Sequence, residues 1–253
     1  MRRIKLIVAY DGTEYSGWQI QPEAPTIEMY LDKAIRELTG ENVHVTGASR
    51  TDAGVHAYGN VAVFDTESTI PGDRFTFALN RFLPDSIIIQ DSWEVSGDFH
   101  PRHCNTRKTY EYRILNTAVP LPQKRNFTWH VAGSIDIEKM KEAAVYIVGE
   151  HDFKSFCCVR TQAESTVRTI YSLEVLQEGS EIIIRIKGNG FLYNMVRIIT
   201  GTLIQVGKGR FRPEYVKQML EAKDRTVAGQ TAPPQGLTLV GIEYVDNDDA
   251  RIV

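Results

Sequence analysis

Cysteine is scarce: three residues among 253, two of them adjacent at Cys157 and Cys158. An odd count with that spacing builds no disulfide framework. No CxxC pair occurs, and no histidine spacing matches a zinc site, so no metal is expected. The chain reads as a reduced cytoplasmic protein with ordinary buried thiols. Long apolar runs are missing too, and nothing approaches the length of a membrane span. The N-terminal MRRIKLIVAYDG is no signal peptide, because its short apolar run leads into an Asp-Gly turn rather than a small-residue cleavage site. Positive charge is not in excess either. The formal net charge is -3, which argues mildly against a polyanionic partner. A near-neutral total can still hide a basic face.

Periodicity supplies the elements. IKLIVAY predicts a strand from Ile4 to Tyr10. Ile27, Tyr30, Leu31, Ala34, Ile35 and Leu38 fall at helical spacing, with Thr26 placed to cap the helix and Gly40 to end it. VHVTGA and NVAVFDT read as strands on either side of a segment rich in small residues. RFTFALNRFL reads as a short helix closed by Pro84, and SIIIQDSWEV as a strand. The second half repeats this order without visible identity. TYEYRIL predicts a strand, and IEKMKEAAVYIVG a helix with Asp136 as cap and Gly149 as stop. RTIYSLEVLQ and EIIIRIK predict a hairpin. FLYNMVRIITGTLIQVG predicts a long apolar helix and PEYVKQMLEAK another, before a closing strand LTLVGIEYV. Mixed element order with hairpin signals argues for α+β architecture with mostly antiparallel sheets, in two pseudo-symmetric halves around a cleft. The expected boundary lies in HPRHCNTR, giving domains 1–104 and 105–253.

Residues 47 to 57 read GASRTDAGVHA. Two readings of Asp52 stand. It is a turn residue holding its own backbone, or a reactive carboxylate. Arg50 is two residues away, so in an extended chain both side chains share a face. A guanidinium there would keep the carboxylate ionised and oriented. The neighbouring Ala48, Ala53 and Gly54 leave room for a bulky ligand. His56 has no nucleophile to serve and reads as a structural or substrate-contacting residue. GNG at 188 to 190 lacks the third glycine of a dinucleotide fingerprint, so it reads as a turn.

Basic residues gather near the expected boundary: Arg102, His103, Arg107, Lys108 and Arg113, with Tyr110 and Tyr112 among them. Lys124, Arg125, Lys208, Arg210 and Arg212 follow. Cations interleaved with aromatics suit a phosphate backbone and a stacked base; a solvated basic face reads equally well. Arg197 sits among apolar helix residues and wants an anion, with Asp52 a candidate.

YDGTEYSGWQIQP, RTDAGVHA, KTYEYRILN, FLYNMVRIITGTLIQVGKG and TAPPQGLTLVGIEY together, in this order, resemble the TruA family of tRNA pseudouridine synthases. The matches run from Tyr10 to Tyr244. The resemblance implies two α+β halves around an RNA-binding cleft and a homodimer that binds tRNA. It implies cofactor-free isomerisation of uridine to pseudouridine at positions 38, 39 and 40 of the anticodon stem-loop. It makes Asp52 the essential carboxylate, as nucleophile or base. Arg50 then stabilises the flipped state, Tyr110 stacks on the base and takes a proton, Leu237 packs on the base, and Arg197 pairs with Asp52. His56, Arg107 and Lys108 are expected at the substrate. Ser49 departs from the glycine often found before the Arg-Thr-Asp run, which hints at a paralogous branch. Two other readings remain: a diverged enzyme acting on another RNA such as ribosomal RNA, and an RNA-binding protein without turnover. An N-glycosidic hydrolase would want a second acid, and none is evident.

Overall fold

The computed structural model describes residues 1–158 and 163–245. In chain order the elements are β1 (Arg2–Tyr10), α1 (Ile27–Thr39), β2 (Thr46–Gly47), β3 (His56–Thr66), α2 (Phe75–Leu79), β4 (Ile87–Val95) and β5 (Thr106–Leu115). Then come β6 (Trp129–His130), α3 (Ile137–Val145), β7 (Gly149–Asp152), β8 (Val167–Glu178), β9 (Glu181–Gly188), α4 (Met195–Gly207), α5 (Tyr215–Ala222) and β10 (Leu237–Tyr244). They divide into two units. The first holds Met1–Thr106 and the chain from Leu239 on; the second holds Arg107–Thr238. This differs from a simple break at 104, because the last strand joins β3 in the first unit's sheet.

In the first unit the strands run β4-β1-β3-β10, with β2 also on β3. β1 lies antiparallel to both β3 and β4. Ile4, Leu6, Ile7 and Val8 are all buried, so this strand is covered on both faces. On one face Phe64 meets Phe75 of α2 edge to face at 5.3 Å. On the other, Ile7, Val61, Val63, Trp93 and Val95 form a cluster with Ala48 and Phe99. Lys5 is only 2% exposed there. Its ammonium lies 4.8 Å from the Trp93 and Phe99 rings and 4.5 Å from Tyr244. A desolvated cation held against three ring faces is a cation–π hub.

α1 has the limits its sequence predicts. The Thr26 hydroxyl accepts the Met29 N–H, and Gly40 ends the helix in the left-handed region at φ 78°. The strand expected over VHVTGA shrinks to Thr46–Gly47. The Trp18 indole lies against Gly47, and a Cβ there would overlap it.

The second unit orders its strands β5-β9-β8-β7, with β6 parallel to β5. The β8–β9 hairpin turns at Gly179–Ser180, Gly179 having φ 59°. Tyr110, Tyr112 and Ile114 share one face of β5. Glu111 and Arg113 share the other, inside an ion network: Arg185 and Arg113 bond Glu111, while Arg113 and Lys124 bond Glu181. α4 is buried around its whole circumference, with Arg197 its sole half-exposed residue.

Element ends moved where local chemistry overrode periodicity. α3 stops at Val145, and Gly149, expected as its end, opens β7 at φ 116°. Phe191–Asn194 stay outside α4 because Asn194 takes φ 63°. β3 begins four residues early, at His56. The short β6 and β7 carried no sequence signal long enough to read.

Gly47→Ala should destabilise the protein by about 1–3 kcal/mol, because the buried indole has no room to move; an unchanged denaturant midpoint would remove Trp18 as the support beneath this segment. Asp65 gives a pH test. Its hydrogen bonds from Arg3, at 2.8 and 2.7 Å, hold its carboxyl below the usual carboxylate range. A depressed carboxyl stabilises the fold above the unfolded pKa of about 3.9, and that stability is lost as pH falls through the folded value. Asp65→Asn should therefore melt below wild type at neutral pH, with the gap closing in acid. A gap independent of pH would assign the loss to packing.

Candidate active site

Residues 49–56 are fixed at nearly every step. Asn60, fully buried, donates to the Ser49 carbonyl at 3.0 Å and accepts the Ser49 N–H at 3.3 Å. The Thr51 hydroxyl meets the Tyr10 hydroxyl at 2.7 Å, and the Thr51 carbonyl accepts the Trp18 N–H at 3.0 Å. The Asp52 carbonyl accepts the Val55 N–H at 3.2 Å, closing a turn with Gly54 at φ 75° in its third position. The Gly54 N–H in turn bonds the Tyr15 carbonyl at 3.2 Å.

Two glycines of the YDGTEYSGW run permit this lacing. A Cβ on Gly12 would overlap the Val55 carbonyl, and one on Gly17 would sit 2.6 Å from the Thr51 oxygen. Gly17 also has φ 92°, which L side chains resist. With Thr51 turned inward to Tyr10, its neighbours Arg50 and Asp52 turn outward. Arg50 is exposed and Asp52 half-buried. The expected pairing of these two does not form: among the described residues, no hydrogen bond or ion pair holds the Arg50 guanidinium. The long side chain follows the solvent instead. The turn reading and the carboxylate reading of Asp52 turn out to be compatible, since the turn uses its backbone carbonyl.

His56 was expected at the substrate, but it is 3% exposed. Its Nδ1 lies 3.0 Å from the Gly12 N–H and 3.2 Å from the Asp11 carboxylate. It braces the Gly12 turn rather than facing a ligand. Ser49 is likewise buried, and its hydroxyl has no hydrogen-bond partner among the described residues.

In the second unit, Arg197 is held from two sides. Its Nε donates to the Ala232 carbonyl at 2.8 Å and its Nη1 to the Asn194 Oδ1 at 2.7 Å. The Ala232 N–H returns a bond to the Arg197 carbonyl at 3.1 Å. The 229–236 segment lies on α4 and β5 through glycines. A Cβ on Gly201 would overlap the Gln230 carbonyl, and one on Gly236 would sit 2.6 Å from the Tyr112 ring. The Tyr112 hydroxyl donates to the Pro233 carbonyl at 2.6 Å, and burial pushes its phenol far above the usual range. Tyr112 is thereby a strut, not a proton carrier. Tyr110 packs its ring edge to face on Phe191 at 5.2 Å, and Leu237 is buried at the start of β10. Arg107 is exposed and lies over the Tyr171 ring at 5.2 Å, while Lys108 is half-buried.

Not every cation of the expected basic face is available. Arg113 and Lys124 are committed to Glu111 and Glu181. Thr51, Tyr10, Asn60 and Asn194, which position the candidate groups, escaped the sequence reading. Tyr10, Thr51 and Asn60 bond partners well apart in the chain, and Asn194 acts through its φ of 63° and its bond to Arg197, neither of which a periodicity shows.

The sequence model of the tRNA pseudouridine synthase family matches residues 6–103 and 143–245. A tRNA pseudouridine synthase A of Ruminiclostridium cellulolyticum is 50% identical over 96% of this chain and 100% of its own length. One from Thermoanaerobacter sp. (strain X514) is 48% identical over the same shares. A tRNA pseudouridine synthase A 2 of Clostridium perfringens is also 48% identical, again over 96% and 100%. With most of its residues matched and near half its positions identical to full-length relatives, this chain belongs to the tRNA pseudouridine synthase family.

Proposed function

We propose that the protein converts uridine to pseudouridine in tRNA with Asp52 as its reactive carboxylate. The observation that carries this is the lacing of residues 49–56, which immobilises the Asp52 backbone while its side chain stays half-exposed. A catalytic carboxylate needs that combination of fixed origin and access.

The N1–C1' bond of uridine breaks, the uracil turns, and C5 bonds to C1'. N1 ends protonated and C5 gives up its proton, so the reaction is an isomerisation with no electrons exchanged. It calls for no cofactor. Asp52 attacks C1' or removes a proton at C2'. The target base must first leave its stack, at a cost of a few kcal/mol. Tyr110 stacks on it and accepts the C5 proton, Leu237 packs on its other side, and Arg197 pairs with Asp52 and keeps it charged. Arg50, exposed beside Asp52, suits a role in holding the flipped state. Arg107 and Lys108 serve the phosphate backbone. These assignments rest on the family resemblance and on the half-exposed or exposed state of Arg50, Asp52, Arg107, Lys108 and Arg197. The target positions 38, 39 and 40 and a homodimer that binds the tRNA in the cytoplasm belong to the same reading.

Asp52→Asn should abolish pseudouridine formation, a loss of at least about 10³-fold for a covalent or proton-transfer group, while tRNA affinity changes little. Turnover retained by that variant would take Asp52 out of the mechanism. Tyr110→Phe keeps the ring and loses the hydroxyl. Its single-turnover rate should fall by roughly 10²-fold with little change in binding, and a wild-type rate would leave Tyr110 a stacking platform only. Mapping pseudouridines in cellular RNA with and without the gene tests the substrate: loss confined to ribosomal RNA would overturn tRNA as target.

A further inference from the structure

The loop joining β4 to β5 is built as a rigid platform. The Phe99 N–H bonds the Ser96 carbonyl at 3.0 Å, and the His103 N–H bonds the His100 carbonyl at 3.2 Å. Three anchors tie the loop to its own unit: the Arg3 guanidinium to the Phe99 carbonyl at 2.8 Å, the Tyr244 hydroxyl to the Pro101 carbonyl at 3.1 Å, and the Val245 N–H to the Asn105 carbonyl at 3.0 Å. Beneath them the Phe99 ring sits on the Lys5 ammonium.

What this platform presents is basic. His100 and His103 stack with ring centroids 3.7 Å apart and planes 14° from parallel. Arg102 and His103 are exposed, and His100 is half-exposed. The His100 imidazole is held below its usual value by burial, then by the positive charges of His103, Arg102 and Arg3. Of the nearby acids, Asp65 is taken by Arg3, Asp98 acts on Arg3, and the charge of Arg102 reaches Glu28. The arrangement does not suit a metal. Parallel stacked rings point their lone pairs side by side rather than at one point, and the His100 Nδ1 already accepts the Arg102 N–H at 3.2 Å. It suits a phosphate, which accepts hydrogen bonds from imidazole and guanidinium N–H groups. The location suits the substrate. Phe99 packs in the same cluster as Ala48, four residues before Asp52.

We propose that His100, Arg102 and His103 form a phosphate-binding subsite that grips the tRNA backbone beside the Asp52 segment. The proposal rests on the tRNA reading above. The test uses full-length protein and an unmodified tRNA transcript. Binding is measured across a salt series for wild type, Arg102→Gln, and the double variant His100→Gln/His103→Gln, with turnover at saturating tRNA and melting temperature recorded alongside. Arg102→Gln should weaken binding and flatten the slope of log K against log salt by about 1. The double histidine variant should flatten it as well, most clearly in mild acid. Turnover at saturation and melting should match wild type. Wild-type affinity and slope in both variants would overturn the subsite while leaving the enzyme reading intact. Weaker binding with an unchanged slope, or a lowered melting temperature, would make the histidine stack a packing contact and also overturn it. A wild-type protein that neither binds nor modifies tRNA would overturn both readings.

Discussion

Thr51 is the point on which the geometry of residues 49–56 depends. Its hydroxyl is tied to Tyr10 and its carbonyl to the Trp18 N–H, so the residue between Arg50 and Asp52 cannot turn. In an extended stretch, fixing one residue inward sends both neighbours outward. Asp52 reaches solvent for this reason, without a regular strand beneath it. The bonds are short-range in space and long-range in sequence, joining residues 10–18 to 49–56. They form only where Gly12 and Gly17 let two backbones touch. Local flexibility is removed before any substrate arrives, which is the usual source of orientation in an active site.

The second unit solves a related problem differently. α4 is buried on every side, so a charged residue within it needs polar partners or it would destabilise the helix. Arg197 finds them in the Asn194 side chain and the Ala232 carbonyl. The same Ala232 belongs to a segment that Gly201 and Gly236 allow to lie flush on α4 and Tyr112. The arginine's position is thus coupled to the run that leads into Leu237.

Charge is sorted rather than piled up. The near-neutral total hides two classes of cation. Arg113, Lys124, Arg185 and Arg3 are held by carboxylates within their own units and hold sheets together. Arg50, Arg102 and Arg107 are exposed. A polyanion responds to the second class, because a cation already paired with a carboxylate offers little field to a distant phosphate. Composition could not distinguish them.

The sequence by itself determined the α+β class, the helix from Ile27 to Thr39 with both its caps and the β8–β9 hairpin. These follow from periodicity, turn residues and short motifs, all of which act over a few neighbouring residues. Tertiary structure decided the rest. It placed β10 with the first unit, buried His56 as a brace, sealed the Ser49 hydroxyl inside, separated Arg50 from Asp52, and split the basic residues into structural and exposed sets. These turn on partners outside the local stretch, such as Gly12 for His56 or Asn60 for the Ser49 backbone. A hydrogen bond of that kind leaves no periodic trace in the chain, because its two ends are brought together only when the sheet has formed.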